Sequence, residues 1–483
     1  MSIWQIRSER APRHRRRSIQ IACYAALALL ATDSAALSQH TYILDVVADF
    51  DAGTFAGKAT VTVRNQTTDD LDALCFRLYP NAETIYGAAA LCVTEVSVSG
   101  EPEAFVLDQN DTVLVVPLPG SLAIGETIEV GFLYEGSTAV HDTDDWPAGE
   151  YGLMTRTAST MTLSAFYPLL APYTREGWAI DPVLAYGDAV MADASDYVVS
   201  LTVSSGLSVY TTGHQVTAKA ASGVSTYTYE AADARDFAVV LAEETTVSER
   251  TVSGITLRAA FLPRHAEALG IALDIAEGAL RLFSDRIGPL PYGEVDIVEA
   301  PMVRAAGMEF TGLILVATAY AAMPSDAFFS VIVAHELAHQ WFYAAVGSDV
   351  SESPWLDEGL ATYLSYVYLE ATGARGVAEQ YLDNWKQSFE RGRALYPDCT
   401  ITTPAYAFPD AEAYRVFVYD GAALFWHAVR AALDDEPFYG LLQAYYELYR
   451  TRIASTEDMI GFLLATGNAA VRAALTDFEV LRP

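Results

Sequence analysis

The sequence predicts an α+β protein with two folded domains, an all-β domain followed by an α-rich domain that contains a small sheet. The chain has 483 residues, enough for two or three domains that each bury a core. Up to about residue 244 it consists largely of short β-branched and aromatic runs, which Gly, Asp, Asn and Ser separate. Beyond about residue 255, apolar residues recur at helical spacing.

Composition narrows the class of protein and of partner. Hydrophobic residues make up 52% of the chain and charged residues 19%, which is typical of a globular protein and excludes a disordered one. The net charge of −33 repels nucleic acid and anionic lipid, so we expect neither as a partner. Solubility outside the cell explains this acidity more simply than an acid-specific function does.

Residues 1–38 are predicted to form a signal peptide. They contain a basic run at 13–17, an apolar core at 19–30 and small residues that end at Ser38. The apolar core is too short to span a bilayer comfortably, so we expect cleavage and export to the extracellular space or cell envelope. The alternative is an uncleaved anchor, and membrane association is expected only in that case.

Residues 39–245 are predicted to form the N-terminal β domain. The runs at 58–63, 197–203 and 225–229 are β-branched or aromatic and read as strands. Cys75 and Cys92 are hypothesised to form one disulfide in an oxidising compartment, with Cys399 left unpaired.

Residues 246–483 are predicted to form the α-rich domain. Apolar residues from 269 to 287 recur at spacings of three and four, which predicts an amphipathic helix that ends before Gly288 and Pro289. Strands are expected near 295–298 and 313–316, and helices elsewhere.

The string His-Glu-Leu-Ala-His at residues 335–339 predicts a metal site. On an α-helix His335 and His339 lie about 400° apart, so both imidazoles leave one face and can bind one ion. Glu336 is offset by about 100° and lies beside the metal, where it can accept a proton from water. No Pro or Gly interrupts residues 325–346, which favours a helix; a metal-free structural helix is the weaker alternative.

Glu358 is the expected third ligand. Gly, Ser, Asp and Pro in 347–354 predict a loop, and 356–369 predicts a second helix that carries Glu358 in its first turn. Asp357 is the rival, but it points about 100° away, so only one of the two can face the metal. Two imidazoles and one carboxylate predict a single zinc ion with one coordination position left open.

Three stretches resemble the gluzincin zinc peptidases of the aminopeptidase N family: residues 335–341, 355–359 and 306–310. The last, Ala-Gly-Met-Glu-Phe, is similar to the family's Gly-Ala-Met-Glu-Asn signature. The resemblance implies a saddle-like β-sandwich followed by a thermolysin-like zincin catalytic domain. With the predicted signal peptide, it suggests an exported, bacterial-type member. Many family members continue into a large C-terminal helical domain; we expect this chain to lack it, which is a departure from the family and should leave a more open cleft.

The same resemblance implies roles for individual residues. Substrate would bind at Gly307, Met308 and Glu309, with Glu309 holding the α-amino group, and 311–316 would form the edge strand against which substrate lies. Residues 417–426 resemble the segment whose tyrosine stabilises the tetrahedral intermediate, which implies that role for Tyr419. Tyr414 is the alternative to Tyr419. The chain departs from the family pattern in two places: Phe310 replaces asparagine, and residues 160–168 contain no counterpart of the family's second amine anchor, Gln-x-Glu.

The leading interpretation is a zinc aminopeptidase that hydrolyses N-terminal residues from peptides, with a zinc-activated water and Glu336 as general base. A zinc endopeptidase or another hydrolase on the same scaffold is the alternative, because Glu309 could be a solvated strand carboxylate. A catalytically silent binding module is least favoured, since such a protein does not need a full set of ligands, base and tyrosine.

Overall fold

The computed structural model describes residues 40–141 and 151–481. The predicted signal peptide at 1–38 lies outside these ranges. Within them, none of the helices combines the length and the apolar character that crossing a membrane requires.

Residues 40–242 form strands and almost no helix, apart from one 3-10 turn (Tyr79–Asn81) and the short helix α1 (Glu83–Tyr86). The strands are β1 (His40–Asp49), β2 (Thr54–Arg64), β3 (Leu71–Arg77), β4 (Ala90–Val98), β5 (Glu101–Pro102), β6 (Val106–Asp108), β7 (Val113–Leu122), β8 (Thr127–Ser137), β9 (Ala139–Val140), β10 (Met154–Arg156), β11 (Thr160–Leu163), β12 (Leu169–Leu170), β13 (Tyr173–Thr174), β14 (Gly177–Trp178), β15 (Ser195–Ser204), β16 (Ser208–Thr211), β17 (His214–Ala221), β18 (Val224–Ala234) and β19 (Val239–Ala242).

Three sheets make up most of this β domain. The largest has the order β17-β18-β15-β1-β2-β8-β4-β5, and the others are β16-β19-β11-β10-β9 and β12-β3-β7-β6. Burial alternates along β1 and β15, so one face of the large sheet packs on the core and the other meets solvent. The three predicted strand runs lie in β2, β15 and β18, and the predicted all-β fold of this region is confirmed.

The α-rich domain begins with a five-stranded sheet, and its first strand starts immediately after the predicted boundary at residue 245. The strands are β20 (Thr246–Val252), β21 (Ile255–Phe261), β22 (Glu294–Ala300), β23 (Gly307–Met308) and β24 (Leu313–Ala317), in the order β20-β21-β22-β24-β23. A further pair joins β25 (Gly347–Ser348) to β26 (Ile453–Ala454).

The expectation that 311–316 forms the edge strand is wrong. β24 pairs in parallel with β22 on one side and antiparallel with β23 on the other, so its backbone groups are already used. The edge strand next to β24 is β23, which consists of Gly307 and Met308.

The remaining chain is helical, as predicted. The predicted amphipathic helix at 269–287 is α2, which packs on β20 and β21 and against α4. The helices are α2 (Ala268–Arg286), α3 (Thr318–Ala321), α4 (Ala327–Ala338), α5 (Glu358–Ala371), α6 (Arg375–Leu395), α7 (Ala411–Tyr414), a π-helix (Arg415–Gly421), α8 (Ala422–Leu433), α9 (Asp435–Tyr449), α10 (Thr456–Ala465) and α11 (Ala469–Asp477), with 3-10 turns at Pro263–His265 and Ala405–Ala407.

The disulfide hypothesis is wrong: both cysteines are free, and one is buried whereas the other is exposed. Cys75 is buried on β3 of the four-stranded sheet, whereas Cys92 is exposed on β4 of the eight-stranded sheet. Cys399 is partly exposed, and all three are free.

Arg235 and Asp236 join the two domains next to the metal helices. The buried Arg235 guanidinium donates to the carbonyls of Ala192 in the β domain and of Tyr343 in the α-rich domain, at 3.0 and 2.5 Å. The Asp236 carboxylate accepts from the Tyr343 hydroxyl and the Thr311 amide. Buried charges need such partners, so these bonds fix the segments around the candidate site.

Candidate metal centre

Helix α4 presents His335 and His339 on one face. The helix begins after Asp326, whose carboxylate accepts from the Phe328 amide as an N-cap. It ends at Ala338, earlier than predicted, but His339 keeps helical angles (φ −61°, ψ −18°) and its amide donates to the His335 carbonyl. The two Nε2 atoms therefore lie 3.0 Å apart.

Glu358 completes the group from the first turn of α5. Its Oε2 atom lies 3.2 Å from His335 Nε2 and 3.4 Å from His339 Nε2. Asp357 is the N-cap of α5: its carboxylate accepts from the Glu358 amide and from the Ser348 hydroxyl at 2.6 Å. The rival carboxylate is thus committed to the helix terminus, and Glu358 faces the histidines as predicted.

These three side chains fit a zinc ion. Zinc bonds of about 2.0–2.1 Å in a tetrahedron place neighbouring ligand atoms about 3.3 Å apart, close to the separations of 3.0–3.4 Å here. Glu358 Oε2 is buried without a hydrogen-bond partner, as expected of an atom reserved for a metal. His339 Nδ1 lies 3.0 Å from the Phe342 carbonyl, which holds the proton on Nδ1 and leaves Nε2 free as a ligand.

Charge around the three side chains is strongly coupled. Burial alone would raise the pKa of Glu358, but the close approach of the His335 and His339 imidazoles outweighs it and holds that pKa well below the usual range. Burial lowers the pKa of His335. The pKa of His339 is raised well above its ordinary value, because nearby carboxylates, Glu309 foremost, outweigh the opposing effect of burial. The site therefore attracts positive charge.

Glu336 lies beside the group with little freedom to move. The side chain is buried, its Oε2 atom has no hydrogen-bond partner, and burial raises its pKa to about 8. Its carboxyl group makes a hydrogen bond with the Glu309 carboxyl. A Cβ atom at position 307 would overlap the Glu336 carboxylate, so a larger residue there would have to displace it.

Glu309 follows the edge strand and is 5% exposed. Gln340 holds this turn: its Nε2 donates to the Phe310 carbonyl at 3.1 Å and its Oε1 accepts from the Gly312 amide at 2.8 Å. We did not predict this role for Gln340. Its place directly after His339 was the available signal, because a residue there follows the metal helix into the sheet.

Tyr419 reaches the group from the π-helix. Its hydroxyl donates a short hydrogen bond to Glu358 Oε1, and its ring stacks on His335 with centroids 6.3 Å apart. A π-turn adds one residue per turn and redirects side chains, which no sequence pattern indicated. The fallback residue, Tyr414, is buried with its hydroxyl unpartnered.

A segment of the β domain crosses over to this site, and no sequence pattern indicated it. We call residues 186–188 the interdomain strap. The Tyr186 hydroxyl donates to the carbonyls of Ala405 and Phe408, at 3.2 and 3.0 Å. Asp188 is half-buried as a residue, but its carboxyl is enclosed and makes a hydrogen bond with the Glu309 carboxyl.

Similarity to known proteins covers the α-rich domain in sequence. Residues 271–478 match the Peptidase family M1 domain. Aminopeptidase M1-B of Oryza sativa subsp. japonica is 30% identical over 220 residues, and endoplasmic reticulum aminopeptidase 1 of Mus musculus is 25% identical over 231. These alignments cover 42% and 46% of this chain but only 24% and 25% of the relatives, so the chain spans about a quarter of their length.

Similarity to solved structures covers both domains. The crystal structure of an M1 zinc metallopeptidase from Deinococcus radiodurans superposes with a TM-score of 0.67 at 20% identity, covering 92% of this chain and 95% of that one. A variant of that protein bound to a Tyr-Ser-Ala substrate superposes with a TM-score of 0.65. The β-rich domain followed by an α-rich domain is thus the two-domain M1 fold. The chain thus carries a Peptidase family M1 domain at residues 271–478 and shares the two-domain fold of the M1 zinc metallopeptidases.

Proposed function

We propose that this protein is a zinc aminopeptidase that removes N-terminal residues from peptides. The observation that carries the proposal is the position of Glu309, a buried carboxyl at the sheet edge in hydrogen-bond contact with Glu336 beside the metal ligands. A continuous neutral peptide gains nothing from a buried acid at this point. A substrate's α-ammonium group would instead form a charge-assisted hydrogen bond with it.

In this proposal the edge strand binds the substrate backbone. β23 pairs with β24 on one side, and on its other side its sheet ends. An extended peptide can add to such an edge through main-chain hydrogen bonds from Gly307 and Met308. With its amine at Glu309, the first peptide bond would lie over the metal ligands.

Chemistry would then follow from the residues around that bond. A single zinc ion held by His335, His339 and Glu358 would supply a Lewis acid for the scissile carbonyl and the attacking water. Glu336 accepts the proton of that water and passes it to the leaving amine, a task suited to a carboxyl whose pKa burial raises towards neutrality. Tyr419 donates a hydrogen bond to the developing oxyanion.

The proposal is tested by comparing two substrates that differ only at the amine. The zinc-loaded protein is assayed on leucyl p-nitroanilide and on its N-acetylated form, with and without chelator. We expect chelator-sensitive cleavage of the free-amine compound alone. Equal cleavage of both would contradict an amine-anchored exopeptidase, and cleavage of neither, across a panel of aminoacyl groups, would contradict the proposed activity.

A further inference from the structure

Two carboxylates from different domains meet beside the metal group, and within the described residues neither is paired with a lysine or arginine. Asp188 comes from the interdomain strap and Glu309 from the turn after β23, and their carboxyl groups share a hydrogen bond. Across residues 40–141 and 151–481, no lysine or arginine forms a salt bridge with either acid. Two enclosed carboxyl groups in contact repel each other when both are charged.

The strap is held in place by contacts of the residues directly before Asp188. Besides the two bonds from the Tyr186 hydroxyl, the Tyr151 hydroxyl donates to the Ala185 carbonyl at 3.3 Å. Gly187 has a φ of +75°, and a Cβ atom there would lie 2.7 Å from the Tyr414 hydroxyl. A larger residue would not fit, so the approach of the strap to the site is built into the fold.

One of the two acids borders a cavity. Asp188 lines a small cavity between the domains, whose walls include Leu184, Met191, Val350 and Ser351. The charge that would satisfy both acids is a primary ammonium group, which offers three donors to carboxylate oxygens.

We infer that Asp188 is a second anchor for the α-ammonium group of the substrate, shared with Glu309 and supplied by the β domain. The inference rests on the proposed aminopeptidase function and deepens it. The residue stands outside the 160–168 region, where the family's Gln-x-Glu element has no counterpart. With two acids facing the amine, an acetylated or extended N-terminus would place a neutral amide against both, so the chain selects free N-termini.

The first test compares three variants on leucyl p-nitroanilide. Asp188→Asn should lower kcat/KM by about 10- to 100-fold, mainly through a higher KM, because one charge-assisted bond to the ammonium is lost. Asp188→Glu should recover part of the loss. Asp181→Asn is the matched control: it makes the same change in charge on the same cavity wall, where the side chain is exposed, and should stay within about twofold of wild type.

The second test separates anchoring from a merely structural role. Inhibition constants are measured for leucine hydroxamate and for the same hydroxamate without its amino group, in zinc-loaded wild type and Asp188→Asn. We expect the preference for the amine-bearing compound to fall about tenfold or more in the variant, with zinc content unchanged. Equal weakening of both compounds, an unchanged preference or loss of zinc would each overturn the inference. Because this readout is binding, it stands even if wild type cleaves no anilide, a result that would contradict only the proposed function.

Discussion

The two ends of the site are built in different ways. At the metal end, all three candidate ligands come from one domain and from two consecutive helices, with the loop that joins them buried against the same core. At the amine end, Glu309 follows a two-residue edge strand and Asp188 arrives on a strap from the other domain. One end depends on local helix geometry, and the other depends on how two domains pack.

The metal end and the amine end also differ in whether their polar side chains have partners within the protein. Around the metal ligands each supporting group has a partner: His339 faces the Phe342 carbonyl and Asp357 accepts from Ser348. At the amine end two acids face each other, and no lysine or arginine of the described residues forms a salt bridge with them. The metal end is thus complete within the protein apart from its ion, whereas the amine end requires a ligand's charge. We expect variants of the first end to abolish function and variants of the second to change selectivity.

Loss of a metal ligand should give the largest effect. His339→Ala removes the more buried of the two imidazoles, so zinc content should fall to near zero and anilide hydrolysis below detection. Chelator should lower the melting temperature of wild type but leave that of the variant unchanged, because only the former binds the ion. His214→Ala, on an exposed strand, is the control. Retention of stoichiometric zinc by His339→Ala would contradict the ligand assignment.

Loss of the base should rank next. Glu336→Gln keeps the shape of the side chain and leaves the three ligands in place, so zinc content should be unchanged while kcat falls by about 10³- to 10⁴-fold. Glu352→Gln, an exposed acid in the loop before α5, makes the same chemical change away from the site. Activity of Glu336→Gln close to that of wild type would assign the base elsewhere.

The sequence predicted the features that depend on local geometry better than those that depend on how the two domains pack. His335, Glu336 and His339 were predictable because helix periodicity alone sets the angles between them, and Glu358 because a short loop and a second helix follow in the sequence. The order of domains was predictable as well, since the spacing of apolar residues changes near residue 255. Both predictions use interactions between residues that are close in the chain.

The errors and omissions have tertiary causes. Residues 311–316 were assigned to the sheet edge because a strand pattern does not show which neighbours pair with it, and β23 is too short to be recognised. Asp188 was missed because it stands alone in an irregular segment, and only domain packing brings it to Glu309. The pairing of Cys75 with Cys92 was wrong because the fold buries the first thiol and exposes the second, which the sequence does not show.

Loss of the Tyr419 hydroxyl should have the third-largest effect. Tyr419→Phe removes the hydroxyl that bonds to Glu358, and kcat should fall by about 100-fold with KM nearly unchanged, as expected for a bond made mainly in the transition state. Tyr414→Phe is the control, and it also tests the alternative tyrosine. Its buried hydroxyl has no hydrogen-bond partner, so kcat should change by no more than about threefold. A larger loss in Tyr414→Phe than in Tyr419→Phe would exchange their roles.

A substitution at Gly307 should give the smallest of these effects. It tests how rigidly the Glu336 carboxylate is held between the edge strand and the metal ligands. Position 307 is alanine in the family signature and glycine here, and a Cβ atom would overlap the Glu336 carboxylate. Gly307→Ala should displace that carboxylate and lower kcat/KM about tenfold with zinc retained, because overpacking of a buried contact costs about 1–3 kcal/mol. Gly440→Ala, in α9 with open space around it, should be neutral or slightly stabilising. Full activity of Gly307→Ala would mean that Glu336 moves freely, and the metal end would then be no more rigid than the amine end.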